Sequence, residues 1–218
     1  MRTDELVRKL AAEAAPVTRL APVPWRLAVW TACTVAAAVA AVWAFGARQD
    51  LAVALAAPAF QVKAALLILT AITAAAGALL LSVPGAERTA AVRWLPLAVV
   101  AALVLWIAGE LGAAAAAGTA NWRIGAAWGC AAEVMAVGFV PGAVLFVMVR
   151  RAAPLRAMWA GLLALMAMGA VGALGTSAIC PSDRSMHVLV WHVLPLIVIG
   201  AVGAAAGYVL LGWARRLR

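Results

Sequence analysis

Two cysteines and two histidines stand near the ends of three long apolar stretches of the chain. Cys130 opens one stretch, Cys180 closes the next, and His187 and His192 fall at the start of a third. Thiols can pair as a disulfide in an oxidising compartment. Thiols and imidazoles together can bind a soft or borderline metal ion. The bland alternative is that the cysteines are small buried hydrophobic residues and the histidines interfacial ones.

Carboxylates accompany these residues. Glu133 follows Cys130 by three residues and therefore shares its helix face, and Asp183 lies in the connection between the second and third stretches. The two histidines are five residues apart, a spacing that separates them on an α-helix, so they are not expected to form a paired metal site. We predict a sensing cluster of Cys130, Cys180, Glu133, Asp183, His187 and His192, with Cys130, Cys180 and His187 as candidate metal ligands. A metal ion is expected only as a signal, and no resident cofactor is predicted.

The amino-acid composition indicates which class of protein carries this cluster. The 218-residue chain is 67% hydrophobic and 11% charged, with a mean hydropathy of +1.06. Ordinary soluble domains carry roughly 45–50% apolar and about 25% charged residues. So few charges cannot cover a globular surface, which excludes a soluble protein. We predict an all-α, polytopic membrane protein in the lipid bilayer.

Six stretches are long enough to span a bilayer, which takes about 20 apolar residues. They cover residues 25–45, 60–83, 94–116, 128–149, 155–179 and 187–213. Of the 17 basic residues, all but Arg48, Lys63, Arg123 and Arg184 fall on one side if the N-terminus is inside. This bias predicts two cytoplasmic termini. The net charge of +9 then reports orientation, and no direct contact with nucleic acid is expected.

The same topology places the cysteines at one depth. Cys130 lies twenty residues from Arg150, roughly 30 Å of helix, and Cys180 lies twenty-four from Arg156, roughly 36 Å. Both thiols are therefore expected at the periplasmic edge, on consecutive antiparallel helices.

The chain divides into a cytoplasmic segment (residues 1–24), a six-helix domain (25–213) and a short basic tail (214–218). Residues 3–15 read as an amphipathic helix that ends before Pro16. Its apolar stripe either lies on the inner leaflet or docks into a soluble partner. Because its charges are mixed rather than basic, we favour a partner, bound through Leu6, Val7, Leu10 and Ala14.

Two other classes compete with a regulator. A small transporter or metal exporter would use the same Cys, His and Glu residues, together with Glu110 in the third stretch. A membrane redox enzyme would carry a haem or quinone. The chain shows neither a convincing internal repeat, as transporters often do, nor a Cys-x-x-Cys motif. We therefore predict that it is not an enzyme.

Over its whole length the sequence resembles the NrsF-type family of six-span anti-sigma factors. The resemblance rests on the N-terminal helix, the first outer loop with Gln49 where the family often has proline, and the sequence from Cys180 to His192. The motifs read Met1-Arg2-Thr3-Asp4-Glu5-Leu6-Val7, Gly46-Ala47-Arg48-Gln49-Asp50-Leu51, Phe60-Gln61-Val62-Lys63, Cys130 with Glu133, and Cys180-Pro181 followed by His187 and Trp191-His192.

The resemblance implies a protein of the bacterial inner membrane that holds an extracytoplasmic-function (ECF) sigma factor inactive. The N-terminal segment would be the element that binds the sigma factor. Cys130 and Cys180 match the paired cysteines of the family, which implies that they respond to oxidative or heavy-metal stress and that the sigma factor is then released.

Overall fold

The computed structural model of the protein describes residues 2–13 and 19–211. These residues form eight α-helices and one short 3-10 helix, Ala86–Arg88, and the last α-helix contains two π-helical segments. They are α1 (Thr3–Glu13), α2 (Val23–Phe45), α3 (Leu51–Ala56), α4 (Pro58–Leu80), α5 (Ala90–Ala116), α6 (Trp128–Arg151), α7 (Ala157–Ser177) and α8 (Ser185–Leu211).

Six of these helices, α2 and α4 to α8, are long and apolar enough to cross a membrane. This confirms the predicted all-α fold with six spans. The boundaries differ by a few residues: α4 begins at Pro58 and α7 ends at Ser177, two residues before the predicted end. The short helix α3, in the loop between α2 and α4, was not predicted, and the tail at 214–218 lies outside the described residues.

Helix α7 forms the centre of the bundle and packs against α4, α6 and α8. Glycines make these contacts close. A Cβ atom on Gly161 would meet the backbone of Gly203 and Gly207, and one on Gly172 would meet the carbonyl of Val134. Small residues thus let the backbones of α7, α6 and α8 approach, which is how helices associate without a hydrophobic driving force in lipid.

Gly172→Ala is expected to destabilise the bundle by about 1–3 kcal/mol, because the added methyl group meets a backbone carbonyl that cannot rotate away. Gly200→Ala is the matched control, since its Cβ would meet Met166 only at 3.5–3.8 Å, an ordinary contact distance. Thermal unfolding in detergent should show a lowered midpoint for the first variant alone. Equal midpoints would contradict the close approach of α6 and α7.

Helix α2 stands at the edge of the bundle. Only Arg26 and Trp30 are buried among its residues. Both bind α6: Arg26 Nη2 donates to the Met148 carbonyl at 2.7 Å, and Trp30 Nε1 donates to the Pro141 carbonyl at 3.0 Å. The rest of α2 borders an apolar cleft of about 930 Å³ shared with α4 and α7. Helix α2 is therefore fastened near its N-terminal end and loosely packed beyond it.

Helix α1 has no buried residue, which shows that it makes few contacts with the rest of the protein. Leu6, Val7 and Leu10 are 39%, 58% and 58% exposed. The helix ends at Glu13 rather than extending to residue 15, and Ala14 lies outside the described residues. An unpartnered apolar stripe is thus present at the N-terminus.

Candidate functional site

The two cysteines lie together where the start of α6 is next to the end of α7. Cys130 lies in the first turn of α6, and Cys180 follows the end of α7 by three residues. Their Sγ atoms are 3.4 Å apart. Cys180 is buried, and its backbone N–H donates to the Thr176 carbonyl at 2.7 Å, which holds the residue against the end of α7.

The two histidines lie beside the thiols. The Nε2 atom of His187 is 3.3 Å from Sγ of Cys180, and the rings of His187 and His192 stand edge to face with their centres 5.5 Å apart. The expectation that a spacing of five residues separates these two side chains was wrong, because their rings pack against each other. Five residues of an α-helix turn the side chain about 140° away. Here Leu189–Val193 is π-helical, with hydrogen bonds from i to i+5, so the wider turn returns His192 to the face of His187.

Four donor atoms therefore converge. One ligand atom from each of Cys130, Cys180, His187 and His192 lies within 4.8 Å of all the others. In a tetrahedral zinc site with Zn–S near 2.3 Å and Zn–N near 2.0–2.1 Å, neighbouring ligand atoms are roughly 3.3–3.8 Å apart. The sulfur–sulfur and sulfur–nitrogen distances already approach this spacing. The set fits a thiophilic or borderline divalent cation, with His192 as a fourth ligand that the sequence did not indicate.

The surroundings of His192 fit a ligand role. Its Nε2 atom is buried and has no hydrogen-bond partner among the described residues. Its Nδ1 atom lies 3.5 Å from Oγ of Ser177, whose hydroxyl donates to the Ala173 carbonyl at 2.8 Å. Because that hydroxyl proton is already used, Ser177 accepts from Nδ1–H, which leaves the Nε2 lone pair free for a cation.

Glu133 and Asp183, the two predicted carboxylates, are placed outside the four converging atoms. Glu133 lies one turn after Cys130, and its Oε2 atom is buried with no hydrogen-bond partner in the described part of the chain. Asp183 is bound instead by Arg48, whose Nη1 and Nη2 atoms donate to its carboxylate at 2.9 and 2.7 Å. Glu133 thus lies near the thiols, whereas the carboxylate of Asp183 is paired with Arg48.

Sequence reasoning missed Arg48 as a site residue. Its side chain is 2% exposed and also donates to both Asp50 carboxylate oxygens, at 2.7 and 2.8 Å. The hydrogen bonds to Asp50 and Asp183 raise the pKa of Arg48, and the Arg48 guanidinium lowers the pKa of the Asp50 carboxyl. The only cue in the sequence was an arginine two residues before an aspartate in the first loop motif.

Glu110, the carboxylate considered for a transport pathway, is held by other side chains. Its Oε2 atom is 3.5 Å from Lys63 Nζ and accepts from Ser185 Oγ at 3.2 Å, and its Oε1 atom accepts from Trp106 Nε1 at 3.2 Å. The pairing ties α4 and α5 to the start of α8. This is the environment of a structural ion pair at the edge of the bundle.

Known proteins and protein families were compared with the chain. A family model described as "Negative regulator of sigma F" (NrsF) matches residues 10–213. No curated protein and no solved structure matches the chain.

Proposed function

The chain belongs to the NrsF family of negative regulators of sigma F, a match that covers residues 10–213, and from that premise we propose that it is an anti-sigma factor of the bacterial inner membrane. It sequesters an ECF sigma factor in the cytoplasm. It releases that factor when the cluster at the other face of the bundle, Cys130 and Cys180 with His187 and His192, meets oxidative or heavy-metal stress.

The binding half of the proposal rests on α1. This helix carries an exposed apolar stripe of Leu6, Val7 and Leu10, with no buried residue of its own. An amphipathic helix that its own protein leaves uncovered is suited to a groove on a soluble partner. The excess of basic residues on the same side of the spans supports a cytoplasmic position for this helix, where sigma factors act.

The sensing half rests on the approach of four donor atoms within 4.8 Å, which is the observation that carries the proposal. A bound cation would join α6 to the start of α8 and to the connection that follows α7. Structural zinc sites in small peptides release about 10–16 kcal/mol on binding. Moving a two-state equilibrium from 1:99 to 99:1 takes about 5.5 kcal/mol. The free energy of binding at a four-ligand site is therefore larger than the free energy that such a switch requires.

Oxidation is the second route to the same switch, favoured by the 3.4 Å separation of the two Sγ atoms. With hydrogen peroxide as oxidant, two thiols lose their protons and two electrons to form one S–S bond, the O–O bond of the peroxide breaks, and two water molecules are released. The sulfur atoms would close to about 2.05 Å. Either signal thus changes the distance between α6 and the connection after α7.

Co-purification tests the proposal. The full-length protein, co-expressed in turn with each ECF sigma factor of the same genome and extracted in detergent with chelator and reductant, is expected to retain one such sigma factor. Addition of Cd²⁺, or of peroxide after removal of reductant, should elute it. If no sigma factor is retained, the proposal is wrong. Cation flux in proteoliposomes that lack a sigma factor would instead support the alternative of a transporter.

A further inference from the structure

Helix α2 joins the two cysteine-bearing parts of the protein. Near its N-terminal end, Arg26 and Trp30 donate to carbonyls of α6, the helix that carries Cys130. Beyond its C-terminal end, Arg48 binds the connection between α7 and α8, which carries Cys180. The chain leaves α2 towards α1 through residues 14–22. One helix is thus fastened to both thiol-bearing elements and leads to the proposed output.

Arg48 holds the connection on both sides of Cys180. Its backbone N–H donates to the Ala178 carbonyl at 3.0 Å. Its guanidinium donates to the Pro181 carbonyl at 3.2 Å and to both Asp183 carboxylate oxygens. Gly46, with φ of +86°, makes the turn that brings Arg48 from the end of α2 to this position. A displacement of Cys180 therefore pulls on the first loop directly.

Between these two attachments, α2 is loosely packed against the other helices. From Trp30 to the end of α2 the helix runs about 22 Å and borders the apolar cleft of about 930 Å³. Because few of its side chains are packed against the bundle, tilting it breaks few van der Waals contacts. A change in the distance between Cys130 and Cys180 would move the two attachments of α2 relative to each other.

We propose that α2 transmits the signal, with the Arg48–Asp183 pair as the coupling that connects the cysteine cluster to the N-terminal helix. This inference rests on the proposed function and adds its route. Arg48 is a positioning residue in this scheme, since it touches neither a donor atom of the cluster nor the sigma factor.

Two aspartates offer a matched pair of variants. Asp183→Asn weakens the link between Arg48 and the connection after α7, whereas Asp50→Asn weakens only a link within the first loop. The two side chains are comparably exposed, 41% and 52%, and each substitution removes one negative charge. Both variants keep Arg48 and one carboxylate partner for it.

The test measures Cd²⁺ binding and Cd²⁺-triggered release on the full-length protein in complex with its sigma factor. Asp183→Asn is expected to retain the sigma factor and bind Cd²⁺ like the unaltered protein, but to release at most about a tenth as much sigma factor when the site is saturated with Cd²⁺. Asp50→Asn should release within about twofold of the unaltered protein. Full release by Asp183→Asn at saturating Cd²⁺ overturns the inference, and so does loss of Cd²⁺ binding in that variant. Failure of the unaltered protein to release sigma factor would instead refute the proposed function.

Discussion

Deletion of residues 2–13 is expected to free the sigma factor without any stress. Helix α1 has no buried residue, so its removal leaves the bundle intact. Burying a Leu or Val side chain is worth about 1.5–3 kcal/mol, and Leu6, Val7 and Leu10 are all uncovered. Loss of this stripe should weaken binding by more than about 100-fold. A reporter under a sigma-dependent promoter should become constitutive, and the detergent-extracted variant should no longer retain the sigma factor.

Single substitutions on α1 provide the control for this deletion. Leu10→Ser removes a central apolar side chain of the stripe and should raise reporter activity strongly. Arg8→Ser lies on the opposite face, where the side chain makes only a local bond to the Asp4 carbonyl, and should change little. If the deletion variant still represses, α1 is not the docking element. Binding of the isolated helix to lipid vesicles would then favour its alternative role on the inner leaflet.

The six spans could be predicted because their signal is length and composition. A stretch of about 20 apolar residues has few other fates in water or lipid. The same property made the helix ends hard to predict. Helices α4 and α8 begin at Pro58 and Ser185, before their predicted starts, because apolar and small residues continue past the core of each span. Helix α3 escaped notice because its six residues, Leu51–Ala56, are too few for any periodic pattern.

The sequence predicted that the two cysteines lie close together, but it did not predict how the neighbouring side chains are arranged around them. Depth counting along consecutive antiparallel helices brought Cys130 and Cys180 together, and their Sγ atoms lie 3.4 Å apart. The π-helical turn at Leu189–Val193 has no hydropathy pattern of its own, so the position of His192 beside His187 could not be inferred from a spacing of five. The pairing of Arg48 with Asp183 spans 135 positions between two loops, and no local pattern encodes such a contact.

Cys130→Ser and Cys180→Ser are each expected to keep the sigma factor bound and to abolish its release under stress. Serine preserves shape but supplies neither a thiolate nor a sulfur that can form a disulfide. Outer-shell changes at metal sites cost 10–100-fold in affinity, so loss of a direct ligand should cost more than about 100-fold. Cys33→Ser is the control, because Cys33 lies in α2 among the spans and outside the four-atom cluster. Normal release by both Cys130 and Cys180 variants would contradict a thiol signal.

His192 separates the two chemistries that the thiols allow. A disulfide needs only Cys130 and Cys180, whereas a four-ligand metal site also needs the free Nε2 atom of His192. His192→Gln keeps a polar group facing Ser177 yet removes that nitrogen. The variant is therefore expected to lose release by Cd²⁺ while it keeps release by peroxide, measured on the same complex. Retained Cd²⁺ release would limit the ligands to Cys130, Cys180 and His187, because His192, which is 1% exposed, would then contribute nothing to ion binding.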